Sequence, residues 1–97
     1  MRRTKAESIG EILQHFYEEN PQLRKKLLET RVLRAWNEVL GNLVTQSTRN
    51  LYVKNRILYA SVDSSVLRNE LMLNREDIVR RMNEYAGAEV IRDVVIR

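Results

Sequence analysis

The stretch of residues 47–62 combines positive charge with aromatic rings. It contains no acidic residue, and its three cations and two tyrosines are Arg49, Tyr52, Lys54, Arg56 and Tyr59. Cations of this kind contact a phosphate backbone, and flat rings stack on exposed bases. The pattern therefore predicts nucleic-acid binding. It is also typical of a solvated hairpin whose tyrosines pack on their neighbours, and this stretch alone leaves both interpretations open.

Strand alternation separates the positions within this stretch. Tyr52 has the same parity as Lys54 and the opposite parity to Leu51, which predicts that its ring is exposed and available for stacking. Tyr59 is expected on the same face if Leu58 points inward. The three cations have no acidic partner at an obvious spacing, so we rank them above the helical arginines for phosphate contact.

The arginines that follow the hairpin lie in a charge-balanced segment. We expect surface ion pairs there, each of which contributes little to stability, rather than a phosphate-binding track. The arginines are Arg68, Arg75, Arg80 and Arg81, and the acids that match them are Glu70, Glu76, Asp77 and Glu84.

Trp36, the only tryptophan, is a candidate for a second contact surface. Its helical stripe needs one large apolar member, which predicts that the ring anchors the core. Alternatively, the ring lies at the edge of the domain on a protein-docking surface, where tryptophan is over-represented. Arg31 and Arg34 would then flank it and suit an acidic partner.

Enzymatic chemistry lacks the necessary residues. His15 is the only histidine and there is no cysteine, so a metal site with three or four such ligands is not expected, and neither is a catalytic triad. Gly10, Gly41 and Gly87 are too far apart to form a glycine-rich phosphate loop. The sequence predicts a binding protein with no catalytic residues, no metal and no cofactor.

Composition agrees with a small globular protein. The 97 residues suit one domain, expected over residues 6–97, preceded by a mobile basic arm at residues 1–5 that carries Arg2, Arg3 and Lys5. A net charge of +4 favours nucleic acid or an acidic protein as partner. The absence of cysteine, signal peptide and apolar membrane span predicts a cytoplasmic location, with no membrane partner and no small-molecule substrate.

Hydrophobic periodicity predicts helices in the first half of the chain. The first should run from Glu7 to Glu19, and Pro21 should begin a new one. Residues 22–40 form either one bent helix or two, because Thr30 is a possible N-cap. Gly41 lies where a helix ends on a left-handed residue.

The second half changes to a period of two. Two alternating runs flank Asn55, which tolerates the positive φ of a hairpin turn. Residues 63–65 offer N-caps for one long helix over Val66–Tyr85, and Ala88–Arg97 is expected to be a strand that is buried on both faces or central in the sheet. The predicted class is α+β, with N-terminal helices followed by β-β-α-β and a three-stranded sheet covered by helices on one face.

The order and spacing of several short motifs resemble the DciA family, a bacterial domain long of unknown function whose N-terminal part is similar to a K-homology (KH) fold. The resemblance covers nearly the whole chain. The motifs are Trp36-x-x-Val39-x-Gly41, Thr45-x-Ser47, Leu58-x-x-x-Val62, Glu70-Leu71 and Val94-Val95-Ile96-Arg97. By position, the first matches the family's tryptophan–glycine motif and the fourth its helix motif.

This resemblance implies a role in DNA replication. DciA proteins load or operate the DnaB-type replicative helicase in bacteria that lack a DnaC-type ATPase loader; they contact the helicase and single-stranded DNA without being ATPases. Two features depart from the pattern. No G-x-x-G clamp of a typical KH domain is present, and the sequence ends at Arg97 without the basic C-terminal extension of many members. We therefore expect weak DNA binding through the hairpin or the arm.

Three functions remain open on the sequence. The first is an adaptor that binds the replicative helicase and assists its loading on single-stranded DNA. The second is a general KH-like RNA- or DNA-binding module without a helicase partner. The third is a structural protein-interaction domain whose basic hairpin meets an acidic protein.

Overall fold

The structure is a computed structural model that describes residues 12, 15, 16 and 18–97. Of the helix predicted over Glu7–Glu19, the described residues are helical and the others lie outside the described part. The elements that follow are α1 (Pro21–Leu40), α2 (Asn42–Gln46), β1 (Thr48–Lys54), β2 (Ile57–Val62), α3 (Ser65–Leu73), α4 (Arg75–Ala86) and β3 (Asp93–Ile96).

The region left open as one helix or two is the single helix α1. Pro21 occupies its first turn, where a missing backbone N–H is harmless. The helix ends at Gly41, whose φ of 88° suits glycine and whose N–H donates to the Asn37 carbonyl at 2.8 Å. The short helix α2 follows at once. Sequence periodicity did not predict α2, because five residues are too few to display a helical period.

The sheet has the order β1-β2-β3, with β2 in the centre. β1 and β2 form the predicted hairpin, and its turn places both Asn55 (φ 53°) and Arg56 (φ 64°) in the left-handed region, as a type I′ turn requires. β3 pairs in parallel with β2. This register places Tyr52 opposite Tyr59, and Tyr59 opposite Val95.

The long helix predicted over Val66–Tyr85 is wrong in one respect, because Asn74 divides it into α3 and α4. The Asn74 side chain donates to the Glu70 carbonyl at 2.8 Å and so replaces a helical hydrogen bond that the break removes. Apolar positions continue on both sides, with Leu71 and Ile78 buried, so the periodicity gave no sign of the break. Among the predicted caps, Ser64 is used, since its Oγ accepts from the Leu67 N–H at 3.2 Å.

The strand predicted over Ala88–Arg97 is shorter in the structure, and it lies at the edge of the sheet instead of at its centre. β3 covers only Asp93–Ile96 and is an edge strand of the sheet. Val90 and Ile91 belong to a buried loop that Asn83 holds, because its Oδ1 accepts from both their N–H groups, at 2.9 and 3.0 Å. Burial of this loop explains why apolar residues occur at both parities before the strand.

The core lies between the helices and one face of the sheet. The described residues thus form an α+β fold with the three-stranded sheet that the sequence predicted. Within the described part of the chain, no helix combines the length and apolarity needed to cross a bilayer. The buried positions are Val32, Ala35, Trp36, Val44, Leu58, Ala60, Val62, Leu71, Ile78, Met82, Ala86, Val90, Ile91, Val94 and Ile96.

Candidate nucleic-acid interface

Two tyrosines form an aromatic pair on the side of the sheet opposite to the core positions Leu58 and Ala60. Tyr52 and Tyr59 are cross-strand partners, and their rings stack with centroids 5.0 Å apart and planes 13° from parallel. Such pairs stabilise a sheet and also offer flat apolar area to a ligand. Tyr52 is 36% exposed, so the ring reaches solvent as the strand parity predicts.

Arg97 completes this cluster and was missed by the sequence analysis. Its Nη2 donates to the Tyr52 hydroxyl at 3.0 Å, and its Cζ lies 5.2 Å from the centroid of the Tyr59 ring. The second contact has the geometry of a cation–π interaction. Alternation from Val95 to Arg97 indicates a shared side of β3, but only the parallel pairing with β2 brings Arg97 next to the tyrosines.

Lys54 is the exposed cation of the hairpin that remains available. It follows Tyr52 by two residues on β1 and therefore points to the same side of the sheet. Its ammonium has no hydrogen bond or ion pair with any other residue that the structure describes. We use the name open sheet face for the surface formed by Tyr52, Lys54, Tyr59 and Arg97.

The other two hairpin cations have protein partners, which corrects the expectation that they lack them. Arg49 Nε lies 2.6 Å from Asp63 Oδ1, because the antiparallel pairing places Thr48 opposite Val62 and so brings the start of β1 beside the end of β2. Arg56 Nη2 donates to the Glu89 carbonyl at 3.3 Å. Both side chains stay exposed, but part of their hydrogen-bonding capacity is already used.

Burial of Trp36 agrees with the first of its two interpretations, the core anchor, and contradicts the alternative that its ring lies on a docking surface. The ring is 1% exposed, and its Nε1 donates to Thr48 Oγ1 at 3.0 Å. Thr48 Oγ1 in turn donates to the Val44 carbonyl at 2.7 Å. Trp36 is therefore the core anchor that joins α1, α2 and β1, and its ring cannot contact a partner directly in this structure.

The two arginines that were expected beside Trp36 differ in their surroundings. Arg31 Nη1 donates to the Ala86 carbonyl at 3.1 Å, which satisfies an acceptor at the end of α4. Arg34 is exposed and has no hydrogen bond or ion pair among the described residues.

The predicted ion pairs of the segment after the hairpin form only for Arg80 and Arg81, while Glu70 and Glu76 have no ion pair among the described residues. Arg80 pairs with Asp77 and with Glu84 at 3.2 Å, and Arg81 Nε lies 3.0 Å from Asp77 Oδ2. The hydrogen bond and charge of Asp77, followed by Glu84, raise the pKa of Arg80 above its ordinary value. Arg75 pairs with Asp93 at 3.3 Å instead of with a residue of its own helix. These cations are therefore poor candidates for a phosphate track.

Neither His15 nor the basic arm adds a further binding site among the described residues. His15 lies 3.0 Å from Glu19 on an exposed helical surface, and the described residues include no cluster of three potential metal ligands. Arg2, Arg3 and Lys5 of the predicted basic arm lie outside the described residues.

Comparison with known proteins identifies the family. No curated protein matches the sequence. Residues 8–96 match the family described as "Dna[CI] antecedent, DciA", which includes every element described above. That family is associated with helicase loading and DNA replication. Because the match spans nearly the whole sequence, the resemblance inferred from the short motifs is confirmed, and the chain belongs to the DciA family.

Proposed function

We propose that this protein is a non-enzymatic adaptor that binds the replicative DNA helicase, of DnaB type, and assists its loading on single-stranded DNA. The observation that carries the proposal is membership of the DciA family over residues 8–96. The open sheet face supports the DNA-binding part. An adaptor of this kind needs no cofactor and no catalytic residue, because the helicase itself uses ATP.

Single-stranded DNA would bind weakly on the open sheet face. The Tyr52 ring is partly exposed and offers a surface on which one base can stack. Lys54 and the guanidinium of Arg97 lie beside the rings and can neutralise phosphates on either side of a stacked base. Arg49 would add long-range attraction rather than a direct contact, because the Asp63 carboxylate compensates its charge. Arg56 keeps its charge but donates to the Glu89 carbonyl, outside the open sheet face.

The helicase contact is proposed to use protein surface away from Trp36. Arg34 is the better of the two predicted contact residues on α1, because Arg31 already donates to the end of α4. An exposed arginine suits an acidic group of the helicase, and the contact would then weaken as salt rises.

The test is a pair of titrations with the intact protein. One measures binding to the replicative helicase of the same organism, and the other measures binding to a labelled single-stranded oligonucleotide at low and moderate salt. Helicase binding together with weak, salt-sensitive DNA binding would support the adaptor. DNA binding should fall in the triple variant Arg49→Glu, Lys54→Glu, Arg56→Glu, with helicase binding intact.

A matched control separates a specific site from general charge. Lys26→Glu makes the same charge change on the exposed surface of α1. If it weakens DNA binding as much as Lys54→Glu does, the open sheet face is not the site.

The alternative function, a general KH-like nucleic-acid module, needs only the open sheet face. It predicts appreciable affinity without the helicase and a preference for RNA, since 2′-hydroxyl groups add hydrogen bonds. Tight RNA binding with no helicase binding would favour this alternative and contradict the adaptor.

A further inference from the structure

The outer face of α3 is apolar and exposed. Val66 is 72% exposed, Leu73 is 81% exposed and Met72 is 43% exposed, whereas Leu71 on the opposite side of the helix is buried. Val66 and Leu73 are seven residues apart, so they lie on one side of the helix with about 10 Å between them along its axis. Val66 and Leu73 therefore form an exposed apolar pair on one side of the nine-residue helix, and Met72 lies at the edge of that side.

Acidic residues border this surface. Glu70 lies between Val66 and Leu73 on the same side, at spacings of four and three residues. Glu76 lines a hollow of about 460 Å³ at the α3–α4 junction together with Met72 and Leu73. Arg75 and Asp77 also line this hollow, but each is ion-paired, Arg75 with Asp93 and Asp77 with Arg81. We call the surface formed by Val66, Glu70, Met72, Leu73 and Glu76 the α3 outer face.

The acids of the α3 outer face are not neutralised within the described part of the chain. Neither Glu70 nor Glu76 has an ion pair there. The nearest arginines along the sequence are engaged elsewhere: Arg68 donates to the Val62 carbonyl at 2.6 Å, and Arg75 pairs with Asp93 at 3.3 Å. The surface therefore combines apolar side chains with uncompensated negative charge.

The negative charge of the α3 outer face distinguishes among the molecules that could bind there. DNA phosphates would be repelled by both glutamates. In a symmetric contact with a second copy, the same acids would face one another. The chain's own segment 7–19 is unsuitable as well, since it contains four glutamates and neither lysine nor arginine. A partner with positive charge around apolar side chains is the complementary occupant.

We propose that the α3 outer face docks an amphipathic helix of the replicative helicase, with an apolar ridge bordered by lysine or arginine. Two apolar anchors one heptad apart match the ridge of a helix, and Asn69 between them can hydrogen-bond to it. The proposal rests on the proposed function for the identity of the partner. It adds the docking surface and the chemistry of the docked element.

The experiment measures the Kd of the intact protein for the purified helicase. The double variant Val66→Asn, Leu73→Gln removes the apolar anchors, and we expect its Kd to rise about tenfold or more, as for central interface residues. Leu43→Gln is the matched control, because Leu43 is 70% exposed on α2, outside this surface. Its Kd should equal that of the wild type.

A charge-reversal variant tests whether the docked helix carries lysine or arginine beside its apolar ridge. In Glu70→Lys, Glu76→Lys, binding should weaken by a similar factor at low salt, and the weakening should shrink as salt rises. Binding of labelled single-stranded DNA should not fall in either variant, and far-ultraviolet circular dichroism should confirm that both are folded.

The outcomes separate the two proposals. If the wild-type protein does not bind the helicase, the proposed function fails. If it binds, and the double variant binds as well as Leu43→Gln, the docking surface is wrong while the function stands. Loss of binding in Arg34→Glu, with wild-type binding in both α3 variants, would leave the proposed α1 contact as the docking surface and overturn the inference. So would sedimentation showing that the double variant abolishes a homodimer without affecting helicase binding.

Discussion

The open sheet face and the α3 outer face are both exposed and partly apolar, yet they suit opposite partners. On the sheet, two stacked tyrosines lie beside Lys54 and Arg97. On α3, aliphatic side chains lie beside glutamates that lack ion pairs among the described residues. Flat rings with cations favour bases and phosphates, whereas aliphatic side chains with anions favour a basic protein helix. Local charge, rather than exposed apolar area, therefore distinguishes the two surfaces.

Ion pairing elsewhere in the molecule explains much of the difference in charge between the two surfaces. On α4, Arg80 and Arg81 pair with Asp77 and Glu84, whereas Glu76 at the start of the helix has no ion pair among the described residues. Arg75 and Arg49 are likewise paired with Asp93 and Asp63. The net charge of +4 therefore describes neither surface, because the unpaired charges determine what each one attracts.

The largest expected effect comes from a residue that supports the structure beneath both surfaces. Trp36→Ala should lower the free energy of unfolding by about 3–5 kcal/mol, because it leaves a cavity where α1, α2 and β1 meet. Both binding activities should then fall together. Chemical denaturation followed by circular dichroism measures the change, with Trp36→Phe as a milder control. A loss below about 1 kcal/mol would contradict the anchoring role.

The aromatic pair offers the next largest effect. Tyr52→Ala should weaken single-stranded DNA binding by about 1–3 kcal/mol, the range for losing one stacked base, and leave helicase binding unchanged. Fluorescence anisotropy with a labelled oligonucleotide measures the loss. Tyr52→Phe keeps the ring and removes only the hydroxyl that Arg97 contacts, so it should retain most of the affinity. Equal losses in both variants would argue against stacking.

Removing the acidic partner of Arg49 should make the surface near the hairpin more positive. Asp63→Asn removes the negative charge that compensates Arg49, so we expect tighter DNA binding at low salt and a salt slope steeper by up to about 0.7, the contribution of one phosphate contact on a single strand. Lys54→Gln should change the slope by a similar amount in the opposite direction. Both slopes come from titrations over a range of salt concentrations. An unchanged slope in Asp63→Asn would mean that Arg49 lies outside the DNA path.

The smallest expected effect is on stability at the same ion pair. Arg49 and Asp63 are 76% and 52% exposed, so their pairing should contribute no more than about 1 kcal/mol. A double-mutant cycle with Arg49→Gln and Asp63→Asn, measured by chemical denaturation, gives the coupling. A coupling well above 1 kcal/mol would show that the pair stabilises the hairpin rather than only masking charge.

Local patterns predicted much of the architecture. Alternation around Asn55 located the hairpin, and the serine-rich segment after β2 contained the N-cap Ser64. The break at Asn74 was not predictable from periodicity, because apolar positions continue across it. The loop at Val90 and Ile91 resembled a strand, since burial selects apolar residues whether or not the backbone is extended.

Some residues of the candidate site were predictable from the sequence and others were not. Tyr52, Lys54 and Tyr59 were assigned from their parity on the hairpin, which depends only on neighbours in sequence. Arg97 was missed because its contact with Tyr52 spans 45 positions and depends on the parallel pairing of β3 with β2. Partners for Arg49, and the burial of Trp36, likewise depend on residues from other elements.

Propensity and periodicity act over a few residues, so the sequence alone was enough to predict the helix α1, the hairpin and the apolar side of its strands. The order and spacing of the short motifs were also enough to indicate the DciA family. Packing settled which charges stay unpaired, that Arg97 joins the tyrosines and that the Trp36 ring is buried. These properties depend on contacts between residues that are distant in the chain, and such contacts form only when the sheet and helices pack around a common core.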